Sequence, residues 1–145
     1  EPYASMFAPE DMEQPPGFGC DLSGRPHDVR EAPGALGCAG WDWERWAKAI
    51  AAYYGYVAFA DHCHAIVMGA LEDSGRLDDS IVIASTDHGE MLGAHGIYQK
   101  MVMYERSINI PLIMRIPGCD AGRRRTSPRR PTSPPPCSIC WNCRL

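Results

Sequence analysis

An α/β fold built on a mostly parallel sheet is what this 145-residue sequence predicts. Three observations carry the prediction. Residues 41–74 show helical periodicity. A short β-branched run, Ile81-Val82-Ile83-Ala84-Ser85-Thr86, follows. A second apolar run, Leu112-Ile113-Met114-Arg115-Ile116, lies further on. A helix feeding a strand buried on both faces is half of a βαβ unit. One long helix and two strands do not complete such a domain, so the body reads as part of a larger sheet.

The elements follow in order. Residues 1–40 are punctuated by Pro2, Pro9, Pro15, Pro16, Pro26 and Pro33, with weak periodicity, and read as an extended, mobile surface arm. Residues 41–74 form the clearest helix. Asp42 is placed to cap it and Glu44 adds favourable charge to its first turn. Trp43, Trp46, Ala47, Ile50, Tyr53, Tyr54, Val57, Ala58, Ile66, Val67, Ala70 and Leu71 supply the apolar face. Gly55 is a place where the helix bends or splits, and Gly75 is placed to end it. A turn at Leu77-Asp78-Asp79-Ser80 leads into the first strand. Pro111 opens the second strand and Pro117-Gly118 closes it. Most apolar positions on the helix are expected to lack partners, leaving the chain marginally stable.

Composition divides the chain again. Residues 1–118 carry eight Lys+Arg against 17 Asp+Glu, a net of −9, whereas residues 119–145 carry six Arg against one Asp, a net of +5. The tail also holds five of the 13 Pro and four of the seven Cys. The domain reading is therefore a body, 1–118 (arm 1–40, then 41–118), and a basic, Pro- and Cys-rich tail, 119–145, expected to be disordered. An acidic body excludes wholesale nucleic-acid binding. No apolar stretch approaches the ~20 residues of a membrane helix, so no membrane partner is expected. Glu1 is preceded by no initiator Met and followed by no basic-then-apolar leader. An upstream segment is expected to be missing, and the compartment is left open.

The chemistry gathers where the first strand ends. Thr86-Asp87-His88-Gly89-Glu90 leaves the sheet at the carboxyl end of a strand, where open α/β sheets bind ligands. Gly93, His95, Gly96 and Lys100 follow. One carboxylate, two imidazoles and one ammonium in so short a stretch suit a cation-plus-anion site, the carboxylate holding the cation and Lys giving a point charge to an oxyanion. The competing reading of an Asp-His pair alone is a capping or turn pair. Two other clusters look chemical and are not read so. His62-Cys63-His64 lies on a helix, where residues two apart point in different directions. Trp41, Trp43 and Trp46 read as core and helix start.

The stretch from Thr86-Asp87-His88-Gly89-Glu90-Met91-Leu92-Gly93-Ala94-His95-Gly96 to Lys100 resembles the sulfatase family of the alkaline-phosphatase-like superfamily. Tyr104-Glu105 and the strand Pro111 to Gly118 continue the likeness. Upstream, Tyr53-Tyr54-Gly55, Asp61, Pro2-Tyr3 and Pro9-Glu10-Asp11 extend it. The resemblance implies an alkaline-phosphatase-like α/β/α sandwich and metal-dependent hydrolysis of a sulfate ester. It implies a divalent cation, by family habit Ca2+, and a formylglycine nucleophile made from Cys or Ser. It makes Asp87 a metal ligand and His88 a second ligand or a contact to the sulfate. Lys100 becomes a catalytic contact to a sulfuryl or leaving-group oxygen, and His95 a loop-positioning residue. The substrate partner is then a sulfate ester.

Departures temper the implication. The family's nucleophile motif, Cys/Ser-x-Pro-x-Arg, has no match, since Ser127-Pro128-Arg129 lacks the spacer. Calcium takes ~6–8 oxygen ligands, far more than Asp87 and His88 offer. The 145 residues alone are therefore expected to be inactive. In the tail, Cys137, Cys140 and Cys143 resemble a zinc or iron–sulfur ligand run, and Arg123-Arg124-Arg125 with Arg129-Arg130 a nucleic-acid contact. A different reading is preferred. Back-translation one base earlier permits the Asp-x-x-Pro-Thr segment that the family places here, so residues from about 119–126 onward read as frameshifted. The alternatives to a sulfatase are a phosphonate or phosphate ester hydrolase of the same superfamily, and a non-catalytic remnant.

Overall fold

The computed structural model describes residues 2–32, 37–119 and 122. Pro33, the tail arginines and the Cys137, Cys140, Cys143 run lie outside the described residues, as does the expected disorder of the tail. Two compact units are present: Glu1–Ile66 with Glu90–Ile108, and Val67–Gly89 with Asn109–Leu145. In chain order come α1 (His27–Arg30), α2 (Trp43–Asp73), β1 (Val82–Ser85), α3 (Glu105–Ile108) and β2 (Leu112–Arg115), with short 3-10 turns between them.

The long helix α2 begins and ends as its sequence dictates. The Asp42 carboxylate accepts from the Arg45 N–H at 2.9 Å, and its backbone carbonyl accepts from Trp46 N–H at 3.2 Å. Glu44 pairs with Lys48 one turn on, at 2.6 Å. At the other end Gly75 N–H reaches the Glu72 carbonyl at 2.8 Å and Arg76 N–H the Leu71 carbonyl at 3.3 Å, a Schellman pair. The helix does not split at Gly55; it runs unbroken through it. The glycine serves a close approach instead. A Cβ there would overlap the Tyr3 backbone carbonyl.

In the first unit the arm is laid against α2. Tyr3 meets Phe59 edge-on at 5.4 Å, Phe7 meets Tyr54 at 5.6 Å and Phe18 meets Trp43 at 5.3 Å. Aromatic side chains recurring along a Pro-rich segment give it enough apolar area to dock on α2. Trp46, Ala47, Ile50 and Ala51 form the buried stripe of the helix. A second cluster joins Ala32 to Met91, Ala94, Ile97 and Val102. The irregular segment 90–102 is thus part of the core of this unit.

The second unit holds β1 and β2, and here the sequence reading needs correction. The two strands pair antiparallel, with Ile83 opposite Met114 and Ala84 opposite Ile113. They are also not buried on both faces: Ile83 is 59% and Ile113 58% exposed. The β-branched runs encode an appetite for burial, not the direction of pairing. The chain between the strands holds only the four-residue α3 and a 3-10 turn, not the longer helix that usually makes a parallel crossover. The Arg115 guanidinium ties β2 to the turn that precedes β1, donating to the Leu77 carbonyl and to Asp78 Oδ1, the latter at 2.7 Å. Among the described residues no helix is long and apolar enough to cross a membrane.

Candidate active site

Asp87 and His88 belong to the second unit and Lys100 to the first. Of the expected site residues, the structure brings Asp87 and His88 together. Both follow directly on β1, where the sequence placed them.

Their geometry is specific. The Asp87 side chain is 83% exposed and the His88 side chain 35%. The His88 backbone N–H donates to Asp87 Oδ1 at 3.1 Å, and the Thr86 hydroxyl approaches the same oxygen at 3.3 Å. Desolvation pushes the Asp87 carboxyl up. Backbone N–H groups, the His88 imidazole and the Thr86 hydroxyl together outweigh it and hold the group below the usual carboxylate range. His88 Nδ1 lies 2.8 Å from the Gly89 carbonyl oxygen. A carbonyl only accepts, so the ring proton sits on Nδ1. His88 Nε2 then faces Asp87 Oδ2 at 3.5 Å. That contact is an ion pair when Nε2 also carries a proton. A hard oxygen and an imidazole nitrogen fit a divalent cation as part of a ligand shell. They do not fill one: among the described residues no group of three or more His, Cys, Asp or Glu side chains is gathered for a metal.

The segment leading to Lys100 is a closed loop in the first unit. Met91 N–H donates to the Gln99 carbonyl at 2.8 Å and Gly93 N–H to the Ile97 carbonyl at 2.9 Å. Glu90 Oε1 accepts from Leu92 N–H at 3.2 Å and from Gln99 N–H at 2.6 Å. Four non-glycine residues of this loop have positive φ: Leu92, His95, Gln99 and Met101. Lys100, half-buried, stands between the last two. At the tip, the His95 ring stacks on Tyr104 with centroids 4.4 Å apart, and its Nδ1 lies 3.2 Å from the Cys20 thiol. His95 and Tyr104 also line a cavity of about 320 Å³ with Met91, Ala94 and Arg106.

Sequence reasoning quoted Glu90 and Tyr104 without giving them roles, and it missed Cys20. An acidic residue opening a loop of unusual backbone was the available signal for Glu90. Nothing local marks Cys20, which is 75 positions from His95. The His62-Cys63-His64 cluster is exposed on α2, with His62 tilted against Tyr3 at 5.9 Å.

A family model described as Sulfatase matches residues 7–131. An arylsulfatase of Clostridium perfringens is 37% identical over 71 residues, which are 49% of this chain and 15% of that protein. Human arylsulfatase K is 41% identical over 70 residues, covering 48% of this chain and 13% of that protein. Among solved structures, a phosphonate monoester hydrolase from Silicibacter pomeroyi superposes with a TM-score of 0.65 at 30% identity. It covers 82% of this chain, which spans 26% of that one. A second, BT4656 in complex with D-glucosamine-2-N,6-O-disulfate, gives a TM-score of 0.50 at 32% identity, over 53% of this chain and 15% of that one. The chain thus spans only about a seventh of the length of the curated relatives it matches. Its α/β fold is alkaline-phosphatase-like, and with its family match covering most of the sequence, the chain belongs to the sulfatase family.

Proposed function

We propose that the chain supplies residues to the catalytic centre of a sulfuric ester hydrolase, with Asp87 and His88 as metal ligands and Lys100 on the sulfate. The observation that carries this is the convergence of His88 Nε2 and Asp87 Oδ2 at 3.5 Å, with Nδ1 committed to the Gly89 carbonyl. Family membership supports the choice of sulfate ester. A divalent cation, Ca2+ by family likeness, would be held by Asp87 and His88 and would supply charge neutralisation at the sulfuryl oxygens. Lys100 adds an ammonium to a sulfuryl or leaving-group oxygen as the ester bond breaks. The 145 residues contain no Cys/Ser-x-Pro-x-Arg, so they do not fit a formylglycine and no nucleophilic step is assigned to them. The nucleophile belongs to a longer parent, and this chain alone releases no sulfate. Resequencing the coding DNA tests the tail. One inserted or deleted base that restores Asp-x-x-Pro-Thr supports the frameshift, and a confirmed frame removes it.

A second reading rests on the phosphonate monoester hydrolase likeness. The same cation and ammonium would hold a phosphonate ester, because both esters present tetrahedral anionic oxygens.

A calcium titration followed by thermal melting tests the metal assignment. A ligand that binds only the folded state stabilises it by about 2.7 kcal/mol at a hundredfold excess over its dissociation constant. The midpoint is expected to rise with calcium in the native chain and to stay fixed in Asp87→Ala and His88→Ala. A flat native titration removes the assignment. In the parent, Lys100→Ala is expected to lower kcat/KM on an aryl sulfate by about a hundredfold or more. A higher native kcat/KM on a phosphonate monoester than on the sulfate favours the second reading.

A further inference from the structure

We infer that Glu90 is a positioning residue whose carboxylate locks the loop that presents Lys100. The inference rests on the reading of Lys100 as the sulfate-binding ammonium. Gln99 is gripped at both of its backbone groups. Its N–H donates to Glu90 Oε1 at 2.6 Å, and its carbonyl accepts from Met91 N–H at 2.8 Å. The same Glu90 oxygen takes Leu92 N–H at 3.2 Å, so one carboxylate joins the start of the loop to its end. What it joins is unusual backbone. Leu92 has φ +45°, Gln99 +71° and Met101 +62°. Side-chain-bearing residues pay for the left-handed region, about 1–3 kcal/mol where it is strained, and stay there only when their surroundings hold them. The two residues flanking Lys100 are both of this kind. The direction in which the main chain carries Lys100 is therefore set by conformations that Gln99 and Met101 would leave if released. Glu90 supplies a charge-assisted bond at the first of them. Burial of Met91 and Ile97, both 0% exposed, holds the rest of the loop in place, so the carboxylate is left to set the neck rather than the whole fold.

The test uses the 145-residue chain and inorganic sulfate as the probe, followed by NMR at the Gln99 and Lys100 amides. Glu90→Ala removes the acceptor, Glu90→Gln keeps an Oε1 acceptor of the same shape, and Lys100→Ala removes the ammonium. In Glu90→Ala, Gln99 amide protection and sulfate affinity are each expected to fall about tenfold. Glu90→Gln is expected to restore both to within about twofold. Lys100→Ala is expected to abolish sulfate binding while Gln99 stays protected. A purely structural Glu90 would lower the melting midpoint and leave sulfate affinity unchanged, which overturns the inference. Unchanged Gln99 protection in Glu90→Ala overturns it as well. Sulfate that leaves the native Lys100 amide unmoved, or binds Lys100→Ala as well as the native chain, sinks the Lys100 reading. Glu90's place in sulfate binding falls with it.

Discussion

At the residue scale the loop tip depends on one neighbour that is absent in mass. Gly17 has φ +73°, and a Cβ built on it would lie 2.5 Å from His95 Nδ1, the same nitrogen that meets Cys20. Gly19 has nearly the same φ, +71°, with nothing within 4 Å of its built Cβ. The pair separates backbone strain from crowding. Gly17→Ala and Gly19→Ala should both destabilise by about 1–3 kcal/mol through φ alone. Gly17→Ala should cost more than its twin and should also shift the His95 ring resonances in NMR, while Gly19→Ala leaves them in place. Equal urea midpoints with an unmoved His95 in both would show that the ring does not pack where it is drawn. The role of His95 was half legible. Its membership of the motif was plain in the sequence, but its partners were not, because Cys20 and Gly17 are distant in sequence and lie in a Pro-rich arm that gives no periodic signal.

At the scale of elements, α2 shows what local chemistry determines. Its start is an Asp42 cap followed by Glu44, and its end a Gly75 Schellman pair, both readable because capping is a contact between residues three to five apart. Asp42→Ala is expected to cost about 1 kcal/mol and to leave the Arg45 amide without its carboxylate acceptor. Urea denaturation measures the cost, and Asp42→Asn should recover most of it. A neutral Asp42→Ala would mean that tertiary packing of Trp46 and Ile50, rather than the cap, fixes the first turn. The strands were legible as strands and not as partners. The runs at β1 and β2 are mostly apolar, yet pairing direction depends on the path between them. That path is the loop 90–102, whose bonds run through one carboxylate and several left-handed residues, and no hydrophobic period announces it.

For the molecule as a whole, the sequence anticipated apolar positions without partners on the long helix, where Val57, Ile66 and Val67 are half or more exposed, and the strands add to them. The first unit buries Trp46, Met91 and Ile97 to 2% exposure or less. In the second, Ile81, Ile83 and Ile113 are more than half exposed, and β1 pairs with β2 alone among the described residues. A two-stranded ladder with little buried area is marginal in water. Native-state hydrogen exchange should therefore be graded. The amides of Met91, Gly93 and Ile97 and of the first half of α2 should exchange slowest. Those of β1 and β2 should exchange near the unprotected rate, since opening them exposes almost nothing new. The grading also bears on function, because Asp87 and His88 follow β1. A cation bound there in the folded state alone would slow exchange in β1 and β2 before it slowed Met91 or Ile97. Strand amides as slow as those of Met91, with no cation present, would contradict the grading. They would mean that the exposed isoleucines are covered in solution, and dilution would then speed the strands selectively if a second copy covers them.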